Sequence, residues 1–228
     1  MPELLEDEVT YEAAPEVRRP LLVLACGAIA REVLAVIRLN GWTHVEVRCL
    51  PGKLHNTPPE IARRVDAKLS EAEASGRYER VFVAYADCGT GGALDRVLER
   101  HGVERLPGDH CYGFFAGVER WLAMHEAEPA TFYLTDFLCR HFERLVIHGL
   151  RLDDHPELLP DYFGNYRRLV YLAQTDDPEL VERARGAAVR LGGLEFEHVR
   201  TGFGDLAPAL ERFAVRSGDD ALEGGDPP

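Results

Sequence analysis

Short apolar runs recur along this chain, and each is followed by a stretch whose apolar residues return at a helical period. Residues 21–25 (LLVLA) are continuously apolar, and Ile29, Val33, Val36 and Ile37 then share one helical face before Gly41. Residues 44–50 (HVEVRCL) alternate, 80–86 (RVFVAYA) and 167–175 (RRLVYLAQT) are again apolar runs, and 194–202 (LEFEHVRTG) alternate. An apolar run too short for a helix is what a strand covered on both faces requires. Strands separated by amphipathic segments of about ten to fifteen residues imply parallel β-α-β units. The expected fold is α/β, three-layered around a mainly parallel sheet of Rossmann-like or flavodoxin-like kind.

Punctuation along the chain agrees. A helix is expected from about Pro59 to the stop at Gly76, another over 91–102, and one continuous helix over 111–129. Residues 176–192 carry an Asp N-cap and a first-turn proline, and 205–215 read as a closing helix. Residues 1–18 are expected to be a mobile acidic arm and 216–228 a disordered tail, leaving 19–215 as the α/β domain, with 19–130 and 131–215 as two similar halves. The net charge of −13 argues against nucleic acid and anionic membrane partners, since both need a basic surface. The chain has no long apolar run, and its N-terminus is acidic where a signal peptide is basic, so a cytoplasmic protein is expected. Five cysteines in a reducing compartment then read as core fillers, metal ligands or reactive thiols rather than disulfides.

In an open parallel sheet, ligands bind beyond the carboxyl ends of the strands where the strand order reverses. Cys26 ends the first strand and Asp87 and Cys88 the third, which a 2-1-3 order makes neighbours, within about 10 Å. The stretch 106–117 (LPGDHCYGFFAG) brings Asp109, His110 and Cys111 to the same edge. Cys26, Cys88, His110 and Cys111 form a soft ligand set suited to zinc, with iron or an iron–sulfur centre as the other metal readings, although no standard zinc spacing is present. Helix N-termini after Cys26 and Cys88 are expected to favour the thiolates. Gly89, Thr90 and Gly91 read as an anion cradle or, equally, as residues that permit a tight turn. His55 and Asn56 follow the second strand and are candidates for catalysis and cofactor binding, as are Asp87 and Cys88 for catalysis and Tyr133 for a cofactor. Asp136 reads as a helix cap, Cys49 and Cys139 as core, and 201–205 (TGFGD) as a turn able to close over a ligand.

The segments LACGA, LPGKLHNTP, YADCGTGG, DHCYGFFAG and FYLTDF, in this order, resemble an uncharacterised family, domain of unknown function 1638. The resemblance implies that Cys26, His55, Asn56, Cys88, Gly89, His110 and Cys111 are its site positions. It also implies a link to one-carbon or methyl-group metabolism, since some relatives are associated with corrinoid-dependent methylamine use; corrinoid or folate, and a corrinoid or methyltransferase partner, follow from it alone. Relatives carry CGNG where this chain has CGTGG, which loosens that link. Three readings stand at this point: a zinc-binding thiol centre, a metal-free enzyme using Cys26 and Cys88 as paired acid and base in the manner of racemases, and a non-catalytic module that handles a small molecule or corrinoid.

Overall fold

The computed structural model describes residues 3–219, with side chains over 4–215. The chain divides into two compact units, one taking residues up to Cys111 and from Asp205 onward, the other Tyr112–Gly204. In the first unit, strands β1 (Val9–Tyr11), β2 (Leu21–Cys26), β3 (Val45–Leu50), β4 (Val81–Ala84) and β5 (Glu104–Arg105) form one sheet in the order β1-β3-β2-β4-β5. All pairs are parallel except β1 with β3. The chain moves from β2 to β3 on one side and then to β4 on the other, so the order reverses between β2 and β4. Helix α1 (Glu3–Glu6) precedes β1, and α2 (Ala30–Leu39), α3 (Pro58–Ser75) and α4 (Ala93–His101) connect strands β2 to β5.

Local chemistry accounts for the boundaries. Residues 21–25 are essentially inaccessible, as a doubly covered strand must be. Prolines occupy the first turn of α3, and Gly76 ends it in the left-handed conformation that glycine adopts freely.

The second unit holds a parallel three-stranded sheet, β6 (Thr131–Thr135), β7 (Arg168–Ala173) and β8 (Glu195–Arg200), in that order. Its helices are α5 (Cys111–Ala116, whose first residue belongs to the first unit), α6 (Val118–Ala127), α7 (Asp136–Arg140), α8 (Leu159–Phe163) and α9 (Pro178–Arg190). Asp177 caps α9 by accepting from the Glu179 N–H at 3.0 Å. Leu134, Leu169, Tyr171 and Ala184 are among the buried residues packed between this sheet and its helices. Helix α10 (Leu206–Asp219) belongs to the first unit. Each sheet is flanked by helices, giving the mixed α/β fold expected from the strand and helix periods.

Three expectations are corrected. The N-terminal segment is not a free arm: Leu4 and Leu5 are buried (2% and 1% exposed), and β1 pairs with β3 from Val9 opposite Cys49 to Tyr11 opposite Val47. The helix expected over 111–129 is broken at Gly117 (φ 85°, ψ 125°), a conformation open only to glycine, so the apolar period continues while the backbone does not. The unit boundary falls after Cys111, not after 130, and the closing helix returns to the first unit. The expected tail overlaps the end of α10; residues 220–228 lie outside the described residues.

Candidate functional site

The first unit places Cys26 as the last residue of β2, opposite Leu50 of β3, with Ala25 opposite Ala84 at the end of β4. Beyond β4 the chain runs through Tyr85 and Ala86 into the turn at Asp87 and Cys88. That turn is held by the 108–109 segment: the Asp87 N–H donates to the Gly108 carbonyl at 3.1 Å and the Cys88 N–H to the Asp109 carbonyl at 2.7 Å. These two bonds prolong the β4–β5 pairing past its end and carry His110 and Cys111 to the β2–β4 edge. Cys88 interacts electrostatically with both Cys111 and Cys26, and Cys26 with Cys49. His55 likewise feels His110. The sheet edge expected to collect the thiols does bring Cys26, Cys88 and Cys111 into one neighbourhood.

Cys88 has φ +52°, and Gly89, Gly91 and Gly92 are left-handed as well. A side chain at such φ costs roughly 1–2 kcal/mol relative to the ordinary helical region. Glycine would relax this position as it relaxes its neighbours, yet a cysteine occupies it, 8% exposed. Strain kept at a reactive residue is a pointer to function.

The expectation that these thiols are thiolates is not met. Burial pushes the Cys26 thiol up, only partly offset by the Ala28 N–H, which donates to its Sγ at 3.4 Å, and by the Tyr85 hydroxyl. Burial also pushes Cys88 well up, with Cys111 and Cys26 adding to the shift. Cys49 is pushed up to about 12 by burial and then by Cys26. The helix N-terminus expected after Cys26 is present, a 3-10 turn that Cys26 caps and that runs straight into α2, but its N–H only partly offsets burial; the one expected after Cys88 stands elsewhere, since α4 begins only at Ala93, after the glycine loop. Desolvation therefore wins at Cys26 and Cys88 and favours their neutral thiols.

The anion cradle expected at Gly89, Thr90 and Gly91 is filled by the protein itself. The Asp87 carboxylate accepts from the Thr90 hydroxyl at 2.5 Å and from the N–H groups of Gly91 and Gly92, both at 3.0 Å. Burial disfavours its charge, but the Thr90 hydroxyl and the two N–H groups outweigh burial and hold its pKa below the usual carboxylate range. Asp87 is thus a loop organiser whose acceptor capacity is largely spent. His55 reaches solvent, yet desolvation by its surroundings and repulsion from His110 lower its pKa and keep it neutral. Asn56 stands beside it in the same exposed turn.

Tyr85 was not legible as a site residue. It ends the β4 run, is buried, and its hydroxyl has no well-formed hydrogen bond; the group it faces is the Cys26 thiol. Burial, then the thiols of Cys26 and Cys88, raise its pKa far above the usual tyrosine value, so it stays protonated as a donor toward sulfur. Among the described residues, no group of three or more His, Cys, Asp or Glu side chains is arranged to hold a metal ion as placed.

Tyr133 lies in the second unit, in an aromatic group with Tyr112 (ring centroids 5.5 Å apart), Trp121 (6.2 Å) and His125 (6.3 Å). Asp136, expected to cap a helix, does more: it is fully buried at the end of β6. Its Oδ1 accepts from the Tyr171 hydroxyl at 2.7 Å and the Gln174 N–H at 2.9 Å, and its Oδ2 from the Thr175 hydroxyl at 2.5 Å. The cap itself is Thr135, which accepts from the Leu138 N–H. The 201–205 turn is tied down through Thr201, whose hydroxyl donates to the Ala173 carbonyl. Cys139 is core, donating to the Leu180 carbonyl at 3.2 Å.

Among solved structures, a thioesterase domain of NocB, in covalent complex with a fluorophosphonate nocardicin G analog, matches at 18% identity over 95% of this chain and 100% of that one. The TM-score of 0.32 leaves this likeness without weight for fold or chemistry. No curated protein matches the chain. No helix among the described residues is long and apolar enough to cross a membrane. The family profile described as "Protein of unknown function (DUF1638)" matches residues 49–210, a span that takes in His55, Cys88, His110 and Cys111, and the chain belongs to the DUF1638 family.

Proposed function

We propose that the carboxyl edge of the first unit's sheet is a thiol-rich metal centre, with zinc as its preferred ion, held by Cys26, Cys88 and Cys111 and completed by His110. The observation that carries this reading is Cys88: a cysteine kept in a left-handed turn where glycine would be relaxed, within electrostatic reach of two further thiols. Three sulfurs and an imidazole suit a borderline-soft cation. The ion would expel the thiol protons and supply the positive charge that burial otherwise withholds from the thiolates. Binding needs the side chains drawn together. Tyr85 would then donate to the Cys26 sulfur from outside the ligand set.

The five cysteines are free thiols, which fits a reducing cytoplasm. A metal at this edge can activate a bound thiol, water or methyl acceptor, so an enzyme of one-carbon or methyl-group metabolism acting on a small molecule is the wider reading. The two-cysteine acid–base alternative needs one thiolate at neutral pH; burial that raises both Cys26 and Cys88 supports the metal reading over it. Elemental analysis of untagged protein should find about one zinc per chain, lost in Cys26→Ser and Cys88→Ser. Absence of metal from the untagged protein as purified would overturn the proposal.

A further inference from the structure

The second unit's sheet ends in an open strand, β8. The opposite edge of that sheet, β6, is buried at four of its five positions, whereas β8 is buried only at Val199. The first sheet's edge strands are short, three residues in β1 and two in β5, but β8 runs for six. Odd-numbered residues of β8 turn their N–H and carbonyl groups to β7. At the ends of that ladder the Glu195 N–H donates to the Arg167 carbonyl and the Thr201 N–H to the Ala173 carbonyl, both at 2.9 Å. A strand alternates, so Phe196, His198 and Arg200 turn theirs outward, and none of these backbone groups has a hydrogen-bond partner among the described residues. A regular, unpaired edge of this length is a template for another strand.

The residues along β8 select the partner. Glu195 and Glu197 stand in its first half and Arg200 at its end. Antiparallel pairing with an identical strand lays the acidic half of each beside the half that carries Arg200; parallel pairing in register would lay like beside like. Outward-turned groups must meet outward-turned groups, so a two-fold axis passes through a residue and not between two. An axis at His198 sets Phe196 opposite Arg200 of the second copy, Glu197 opposite Val199 and Glu195 opposite Thr201. An axis at Glu197 would bring two carboxylates face to face, and one at Val199 would set His198 opposite Arg200. The exposed His198 ring is held in place by stacking on Tyr171, 5.5 Å between centroids. The flank of the edge agrees. On α9 the Arg185 guanidinium lies 4.7 Å from the Phe196 ring centre, and Val189, one turn further along the same side, is left 70% exposed. We propose that the chain pairs with a second copy of itself through β8, antiparallel about a two-fold axis at His198, joining two three-stranded sheets into one.

Sedimentation equilibrium of the full chain at micromolar concentration tests this, and twice the chain mass of 25.5 kDa is expected. His198→Lys sets two ammonium groups face to face on the axis and should weaken the dimer roughly tenfold or more. The side chain is exposed, so the variant keeps its fold. His198→Cys should cross-link the dimer on mild oxidation, because residues opposite each other in a hydrogen-bonded antiparallel pair stand about 5.5 Å apart between Cα atoms, within disulfide reach. Glu195→Cys, which falls opposite Thr201, should not cross-link. A monomer throughout, a dimer that His198→Lys leaves intact, or a cross-link at Glu195→Cys in place of His198→Cys would overturn the proposal.

Discussion

Replacing Cys88 separates the strain of its backbone from the burial of its sulfur. At an ordinary buried position, cutting Ala back to Gly loses one buried methyl, about 0.8 kcal/mol, and adds chain freedom to the unfolded state, about 0.5–1 kcal/mol. Cys88 sits at φ +52°, where any β-carbon costs roughly 1–2 kcal/mol that glycine does not incur. The two effects oppose each other and are of equal size. Cys88→Ala should therefore lose about 1 kcal/mol for the missing sulfur while keeping the strain, and Cys88→Gly should match Cys88→Ala to within about 0.5 kcal/mol. Urea denaturation read by circular dichroism, with equal m-values required of both variants, measures the difference. A Gly variant less stable than the Ala variant by about 1.5 kcal/mol would mean the position is unstrained, and the structural case for Cys88 as a retained functional residue would go with it.

Other perturbations follow from named contacts. Asp136→Asn puts an amide N–H₂ against the Thr175 hydroxyl or the Tyr171 hydroxyl, both donors, and should cost about 3 kcal/mol in chemical denaturation; a loss under about 1 kcal/mol would refute the network's role in the second unit. His101 bridges Asp66 at 2.8 Å and Glu73 at 2.6 Å; burial works against its charge, but the two carboxylates outweigh burial and raise its pKa. That contribution is whole below the unfolded value near 6.5 and fades as pH rises through the raised folded value. His101→Ala should thus lower Tm most in mildly acidic buffer, the gap closing in alkaline buffer, and a gap that widens with pH would reverse the assignment. Gly27→Ala would place a β-carbon 2.1 Å from the Leu4 carbonyl oxygen, so the N-terminal segment must lift; limited proteolysis should then cut before residue 12 and Cys26 should alkylate faster, whereas unchanged protection would contradict the close approach.

The β-α-β order was legible because burial on both faces leaves a mark in the sequence, continuous apolar runs such as 21–25, and the neighbourhood of Cys26 and Cys88 followed from strand order alone. The protonation state of the thiols was not legible. It depends on how much water reaches each sulfur and on where a helix begins, and α4 begins five residues beyond Cys88, not at Gly89. The glycine loop misled for a related reason: small residues announce free N–H groups, but whether a carboxylate such as Asp87 folds back on them is decided by backbone turns that composition does not encode. Tyr85 escaped because a tyrosine inside an apolar run looks like core until its hydroxyl is seen against a sulfur.

The N-terminal segment shows the same limit from the side of charge. Its acidic residues read as a solvated arm, and they make exposed or half-exposed ion pairs: Glu6 with Lys53, Glu8 with Arg64 and Lys68, Glu12 with Arg77. Such pairs are worth about 0–1 kcal/mol each and would not dock a segment by themselves. Docking comes from Leu4 and Leu5, two apolar residues in a helix too short to show a period, and from the ladder of β1 on β3. The place they reach matters for the site. Leu4 lies against Gly27, directly after Cys26, and α1 packs on the turn that carries His55 and Asn56. The burial that favours the neutral Cys26 thiol is thus supplied in part by a segment docked through two leucines and a three-residue ladder. Lifting that segment would admit water and lower the cost of a thiolate at Cys26.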